Sequence, residues 1–162
     1  MEDLMSDSLR NPYANIEAAW VANLNVAEQL KRITVLIVDD HSYMRSLIVR
    51  MLRDIGVEDV KAASGTDEAL ALIKASEAPP HLILCDLKMP DRDGFAFVAA
   101  LRQLPEPAKA GLPVLILTGN ATADNIEEVV KLGVQGVLAK PLAATTLREH
   151  IVVALAGRTT PN

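Results

Sequence analysis

Residues 33–38 read ITVLIV, a nearly apolar run of strand length in which all but one side chain is branched at Cβ. Such an uninterrupted run is typical of a strand that is buried on both faces of a parallel sheet. An amphipathic helix follows, with apolar residues at helical spacing from Met44 to Ile55 and a stop at Gly56. Together they predict the first strand and the first helix of an α/β fold.

The same alternation of strand and helix continues along the rest of the chain. Further strands are predicted at residues 57–62, 81–85, 113–117 and 136–139, and further helices at 66–75, 95–104, 126–130 and 147–155. Five strands alternating with five helices predict a doubly wound α/β fold with one parallel sheet. In such folds the ligand site lies outside the carboxyl ends of the strands.

Composition limits the class of protein. The chain has 162 residues, half of them hydrophobic, and a net charge of −5, which argues against the basic face that binding to nucleic acid requires. Its longest apolar runs are far too short to cross a membrane, and residues 1–5 do not resemble a secretory signal. The single cysteine, Cys85, suits a reducing compartment. We therefore expect a soluble cytoplasmic protein.

The first 32 residues differ in pattern from the rest. A weak apolar stripe from Asn15 to Arg32 predicts that this N-terminal arm is partly helical. Trp20 lies in it and could either fix the arm to its own domain or anchor a partner or a second copy. We expect an arm at residues 1–32, one α/β domain at 33–157 and a tail at 158–162.

Charged and hydroxyl side chains follow the predicted strands. Asp39 and Asp40 end the first strand, Asp86 the third, Thr118 the fourth and Lys140 the fifth. Carboxylates that converge repel one another unless a cation lies among them, and oxygen ligands in an open loop site suit Mg²⁺. A hydroxyl and an ammonium facing such a unit can receive the oxygens of a phosphoryl group.

Each of these residues also has a simpler interpretation. Asp39 and Asp40 could merely cap the first helix, since aspartate is favoured there. Thr118 is common at a strand end, and Lys140 taken alone could be an ordinary exposed lysine. It is their combination at one edge of the sheet that favours a site.

The remaining candidate residues are expected to be structural. His41, His81 and His150 show no metal-ligand spacing and should be solvated or structural. Cys85 lies on a buried strand and should be a small core residue with no lowered pKa.

Four segments together resemble the motifs of response-regulator receiver domains. They are VDDH at residues 38–41, LCDLKMPDRDG at 84–94, ILTGN at 116–120 and LAKP at 138–141. The resemblance covers about residues 33–156 and is nearest to single-domain regulators of the chemotaxis type. It implies the flavodoxin-like receiver fold, with strand order 2-1-3-4-5.

The resemblance also implies roles for individual residues. Asp86 would be the phosphoacceptor, taking a phosphoryl group from a histidine kinase or a histidine phosphotransfer protein. Mg²⁺ would be bound by Asp40, by Asp39 largely through water, by Asp86, and by the backbone carbonyl of Lys88. Such a protein catalyses only its own phosphorylation and dephosphorylation and is not a turnover enzyme.

Two further side chains would contact the phosphoryl group. Thr118 would donate a hydrogen bond to it and Lys140 would pair with it. The Lys140–Pro141 bond corresponds to a cis peptide in that family.

Three positions depart from the usual motifs or modify them. Val137 stands where the family commonly has a Tyr or Phe that acts as a rotamer switch, and valine is too short for that role. Lys88 and Asn120 occupy positions that tune the access of water to the acyl phosphate. Because a long cationic side chain at Lys88 would screen the phosphorus, we expect slow self-dephosphorylation.

With no output module expected after Gly157, signalling would proceed by protein binding, at the face formed by the fourth helix, fifth strand and fifth helix. A phosphate shuttle, a phosphate sink and a binding module that works without phosphorylation stay open as alternatives. A haloacid dehalogenase-type hydrolase would need an acid where Lys88 stands. A dinucleotide-binding protein would need a glycine-rich turn where Asp39 and Asp40 stand.

Overall fold

The computed structural model describes residues 25–89, 93–119 and 123–156, with the side chains of residues 123–126 excepted. Its centre is a five-stranded sheet whose described pairings are all parallel, in the order β2-β1-β3-β4-β5. The strands are β1 Thr34–Val38, β2 Asp59–Ala63, β3 Leu82–Asp86, β4 Val114–Thr118 and β5 Gly136–Ala139. The predicted fold class and strand order are confirmed.

Helices cover both faces of the sheet. They are α1 Ser42–Asp54, α2 Thr66–Ala75, α3 Gly94–Arg102, α4 Ala123–Lys131 and α5 Ala144–Ala156. Residues 25–32 form an additional arm helix, and Pro107–Ala110 forms a single turn that the sequence pattern does not predict. None of the described helices is long and apolar enough to span a bilayer.

The side chains of β1 show why the sheet is buried on both faces. Val35 and Ile37 point into a core shared with α1 and α5, whereas Leu36 and Val38 point into a second core shared with α2, α3 and α4. All four are buried, so the alternation of side chains along the strand supplies both layers. This confirms that the run at residues 33–38 is a central strand.

Helix α1 ends where its glycine predicts. Gly56 has a φ of +113°, and the N–H groups of Gly56 and Val57 donate to the carbonyls of Arg53 and Leu52. This is the Schellman arrangement, which satisfies the last carbonyls of a helix and requires a left-handed residue. Val57 is therefore part of the helix stop, and β2 begins at Asp59 rather than at Val57.

The guanidinium of Arg102 binds backbone carbonyls at the amino-terminal edge of the sheet. It donates hydrogen bonds of 2.8–3.0 Å to the backbone carbonyls of Ala110, Leu112, Leu132 and Gly133. Charge-assisted bonds of this kind are stronger than neutral ones. Arg102 therefore joins the end of α3 to the segment before β4 and to the carboxyl end of α4.

The described part of the arm packs against the domain. Leu30 is 1% exposed and lies in the same core cluster as Ile48, Leu52 and Ile151. Trp20 and the tail at 158–162 lie outside the described residues, so the proposed roles of the arm and the three-part division of the chain stay predictions.

The order of the strands determines where a site can form. Helix α1 leaves β1 on one face of the sheet, and α3 leaves β3 on the other. Since β1 and β3 are neighbours, their carboxyl ends open into a crevice between the two connections. This is the switch point at which doubly wound sheets bind ligands.

Candidate functional site

Five of the predicted site residues meet at this crevice, namely Asp39, Asp40, Asp86, Thr118 and Lys140. Asp86 is the last residue of β3 and pairs with Leu117, so Thr118 extends one residue beyond it on the neighbouring strand. The backbone N–H of Lys140 donates to the Thr118 carbonyl over 2.8 Å, which places Lys140 at the end of β5 beside β4. Asp86 and Thr118 are both buried.

Lys140 bridges the two buried acids. Its Nζ lies 3.3 Å from Asp86 Oδ1 and 3.9 Å from Asp39 Oδ2. The ammonium is therefore in direct ion-pair contact with Asp86 and balances part of the charge of Asp39. The Lys140–Pro141 peptide bond is cis, in agreement with the expectation from the sequence.

Two carboxylate oxygens in the crevice have no hydrogen-bond partner among the described residues. They are Asp39 Oδ2 and Asp40 Oδ1, both buried as atoms. Leaving buried charged oxygens unsatisfied is costly, and a divalent cation would satisfy them. The donor set is dominated by carboxylate oxygen, which is what Mg²⁺ prefers, so these residues fit a magnesium ion.

The environment of Asp86 changes its acidity. Burial raises the pKa of this carboxyl above 3.8, and the charge of Asp39 raises the pKa further. The Lys140 ammonium and a hydrogen bond from the Lys88 backbone N–H act in the opposite direction, but burial is the largest effect. Lys140 therefore stabilises the ionised form of Asp86, in opposition to the effect of burial.

The acidic pair does not cap α1. The N-cap of that helix is His41, which makes no side-chain capping bond within the described part of the chain. Asp39 Oδ1 instead accepts a hydrogen bond of 2.8 Å from the His41 N–H, and the Asp39 carbonyl accepts one of 2.8 Å from Arg45. These contacts fix the orientation of Asp39, and the simpler interpretation of the pair as helix caps is wrong.

His41 belongs to the acidic cluster, which the sequence analysis missed. Its Nδ1 lies 3.4 Å from Asp39 Oδ1 and 3.1 Å from Asp40 Oδ1. One ligand atom from each of four residues lies within 4.8 Å of the others, namely Asp39, Asp40, His41 and Asp86. The sequence signal for this contact is the spacing of Asp39 and His41. Residues two apart on an extended chain share a face, and His41 has extended dihedrals.

The tuning positions are only partly described. Lys88 has an exposed side chain, while its backbone N–H bonds to Asp86. Val137 is partly buried against the core cluster on the α2–α3–α4 face. Asn120 lies outside the described residues, and its role stays a prediction, as does the Lys88 carbonyl as a metal ligand.

Gly94 lets the chain return close to Asp86. A Cβ at this position would lie 2.9 Å from the Asp86 carbonyl oxygen and 3.1 Å from Leu87 Cα. The next helix therefore starts directly against the end of β3, with Asp93 capping it by a 2.9 Å bond from the Ala96 N–H. Only glycine allows this approach without displacement of the backbone.

Two of the expectations about nearby residues are confirmed. Cys85 is fully buried, and burial together with the charge of Asp86 raises the pKa of its thiol. His81 is structural, since its Nδ1 accepts a 2.9 Å hydrogen bond from the Thr34 N–H at the opposite edge of the sheet.

Comparison of the sequence with known proteins identifies the relatives of this chain. Residues 35–152 match the response regulator receiver domain family. A probable chemotaxis protein CheY of Rhizobium etli is 31% identical over 128 residues, which are 79% of this chain and 94% of the relative. The chemotaxis protein CheY-3 of Vibrio cholerae is 33% identical over 121 residues, which are 75% of this chain and 90% of the relative.

Solved structures show the same likeness. Chemotaxis protein CheY4 of Vibrio cholerae superposes with a TM-score of 0.67 at 33% identity, covering 76% of this chain and 98% of that one. A receiver domain protein of Clostridium thermocellum superposes with a TM-score of 0.70 at 26% identity, covering 78% and 96%. The chain belongs to the response regulator receiver domain family and thereby to two-component signalling. Receiver domains bind Mg²⁺ at an acidic site, and the Asp cluster described above could hold such an ion.

Proposed function

We propose that this protein is a Mg²⁺-dependent phosphoacceptor in which Asp86 receives a phosphoryl group from a histidine kinase or a histidine phosphotransfer protein. The observation that carries the proposal is the 3.3 Å contact between Lys140 Nζ and Asp86 Oδ1, next to an orphaned oxygen of buried Asp39. The crevice thus combines the Asp86 carboxylate as a nucleophile, the Lys140 ammonium, and an Asp39 oxygen that is free to bind a cation. Such a combination suits the transfer of an anionic group. The signal would then be carried in the cytoplasm.

The proposed reaction exchanges one bond to phosphorus for another. An oxygen of the ionised Asp86 carboxylate attacks the phosphorus of a phosphohistidine. The new phosphorus–oxygen bond forms as the phosphorus–nitrogen bond breaks, and the donor imidazole keeps the electron pair and takes a proton from solvent. Hydrolysis of the acyl phosphate returns Asp86 and releases inorganic phosphate, so the protein acts only on itself.

The other site residues would position and neutralise the transferred group. Lys140 would exchange its contact with Asp86 for one with a phosphoryl oxygen, and the Thr118 hydroxyl would donate a hydrogen bond to another. A magnesium ion held by Asp39, Asp40, Asp86 and the Lys88 carbonyl would neutralise negative charge on the phosphoryl group.

The direct test uses a small phosphoryl donor. The protein is incubated with Mg²⁺ and acetyl phosphate, and intact mass spectrometry is used to count phosphoryl groups. We expect one acid-stable, base-labile phosphoryl group on the wild type and none on Asp86→Asn or on the wild type in EDTA. Equal labelling of Asp86→Asn would refute the assignment of the phosphoacceptor.

The lifetime of the phosphoryl group tests the role of Lys88. Its side chain is exposed while its backbone contacts Asp86, so the side chain can lie over the phosphoryl group without supporting the fold. We propose that Lys88→Asn hydrolyses the acyl phosphate faster than the wild type. Lys61→Asn is a matched control, since Lys61 is exposed on β2. An unchanged rate in Lys88→Asn would end this hypothesis.

Output is proposed to occur by protein binding at the face formed by α4, β5 and α5. Exposed apolar side chains lie on both helices, with Val130 60% and Val153 70% exposed. Because Val137 cannot act as an aromatic switch, a conformational change on phosphorylation would have to reach this face through the packing of α4. Amide spectra recorded before and after phosphorylation should then change along α4 and α5. Changes confined to the neighbourhood of Asp86 would instead favour a phosphate shuttle or sink.

A further inference from the structure

The environment of the His41 ring distinguishes it from the other two histidines. His81 Nδ1 accepts a hydrogen bond from the Thr34 N–H, and His150 Nδ1 lies 2.9 Å from the Thr146 carbonyl. The His41 ring instead faces two carboxylates and makes no capping bond within the described chain. Its side chain is 66% exposed, so the ring forms the solvent side of the acidic crevice.

The distances around Nδ1 match the edges of a coordination shell. Ligands at about 2.1 Å from a metal are separated by about 3.0 Å in octahedral and about 3.4 Å in tetrahedral geometry. His41 Nδ1 lies 3.1 Å from Asp40 Oδ1 and 3.4 Å from Asp39 Oδ1. Asp40 Oδ1 has no hydrogen-bond partner among the described residues, so it is available to a cation beside the imidazole.

A second observation points independently to a cation. Asp39 is fully buried, and its Oδ2 accepts no hydrogen bond from the described residues. Lys140 Nζ is its nearest cation at 3.9 Å, beyond hydrogen-bonding distance. The crevice therefore offers an orphaned carboxylate oxygen on its inner side and an imidazole nitrogen on its outer side.

We propose that His41 supplies a nitrogen ligand that raises the affinity of this crevice for divalent transition-metal ions, such as Zn²⁺ or Co²⁺, without raising its affinity for Mg²⁺. Imidazole is a good ligand for these ions, whereas Mg²⁺ takes oxygen ligands and retains several waters. The proposal deepens the proposed function, because it concerns the same pocket, and it makes the choice of metal a property of this chain.

The test is a metal titration of the full-length, EDTA-treated protein. Calorimetry with Co²⁺, Zn²⁺ and Mg²⁺ alone is applied to the wild type, His41→Gln, Asp40→Asn and His150→Gln. We expect His41→Gln to weaken Co²⁺ and Zn²⁺ binding by at least about tenfold, the lower end of the cost of losing an outer-shell partner. Its affinity for Mg²⁺ should change by less than roughly threefold. Asp40→Asn should weaken all three ions, and His150→Gln none.

Proton spectra of the Co²⁺ form give a second readout that does not depend on affinity. A directly ligated imidazole shows strongly shifted ring resonances, which we expect in the wild type and not in His41→Gln. The proposal is overturned if His41→Gln leaves Co²⁺ binding unchanged, or weakens Mg²⁺ equally. If the Co²⁺ results hold but acetyl phosphate does not label Asp86, the proposed function fails and this inference stands.

Discussion

Replacement of Lys140 by methionine would measure how far this ammonium favours the ionised form of Asp86. The variant keeps most of the side-chain volume and removes the charge 3.3 Å from Asp86 Oδ1. Because Lys140 lowers the pKa of Asp86, its loss should raise that pKa. The ionised carboxylate would then become a smaller fraction of the protein at a given pH.

The magnitude follows from the distance and the exposure of the pair. At 3.3 Å, Coulomb's law gives about 5 kcal/mol with an effective dielectric constant of about 20 and about 1 kcal/mol in bulk water. Asp86 is 4% exposed, whereas the side chain of Lys140 is 21% exposed, so solvent screens part of the attraction. A value near 2 kcal/mol would make ionisation of Asp86 about thirtyfold less favourable in Lys140→Met.

Carboxyl carbon resonances of metal-free protein, followed by NMR as a function of pH, would report the pKa of Asp86. Asp86→Asn identifies the resonance. Lys88→Met is the matched control, since it removes an exposed ammonium two residues away while keeping the backbone hydrogen bond. An increase in the pKa of Asp86 in Lys140→Met that is no larger than the increase in Lys88→Met would refute the electrostatic reasoning.

Three further predictions concern stability. Since burial raises the pKa of Asp86 in the folded state above 3.8, the folded protein binds more protons than the unfolded chain between the two pKa values. In EDTA the free energy of unfolding of the wild type should therefore fall, relative to Asp86→Asn, as the pH rises through that window; a difference independent of pH in urea melts would contradict this. Gly94→Ala should lower the free energy of unfolding by about 1–3 kcal/mol, because the added Cβ would lie 2.9 Å from a backbone oxygen. Gly65→Ala adds a Cβ with no atom within 4 Å, so it should lose only the N-cap preference of α2, about 0.5–1 kcal/mol. Equal melting temperatures would contradict the steric argument. Arg102→Met should lower the free energy of unfolding by about 2–3 kcal/mol, because the variant loses the hydrogen bonds to four carbonyls. Arg50→Met, at an exposed position, should lower it by less than about 0.5 kcal/mol in the same denaturant unfolding experiment. A loss in Arg102→Met no larger than that in Arg50→Met would show that the carbonyl contacts contribute little.

Most of the fold could be predicted because its signals are repeated along the chain. The ITVLIV run at residues 33–38 and the alternation after it require a parallel sheet, and the boundaries of α2 and β5 agree with the prediction. The errors occur where local hydrogen bonding decides. The apolar side chain of Val57 predicts a residue of β2, whereas its N–H donates to the Leu52 carbonyl at the end of α1. The turn at Pro107–Ala110 is too short to show a periodicity.

The sequence predicts which residues form the site better than it predicts the contacts between them. Topology alone requires Asp39, Asp86 and Lys140 to gather at one edge, because they stand at the carboxyl ends of strands in one parallel sheet. Which acid is orphaned and which is paired depends on side-chain rotamers, which a sequence pattern does not encode. His41 belongs to no metal-binding motif in the sequence, and its place in the site follows only from its contacts with the two acids that precede it.

The four carbonyl contacts of Arg102 have a consequence for signalling. Two of these carbonyls, those of Leu132 and Gly133, immediately follow α4. A displacement of α4 that preserves these bonds is a rotation about its carboxyl end, so it grows along the helix toward residue 123. That moving end is the one that follows Thr118 and Gly119 in the chain. Such a displacement is therefore largest on the side where a phosphoryl group would act, and smallest near Val130, whose exposed side chain lies on the proposed output face.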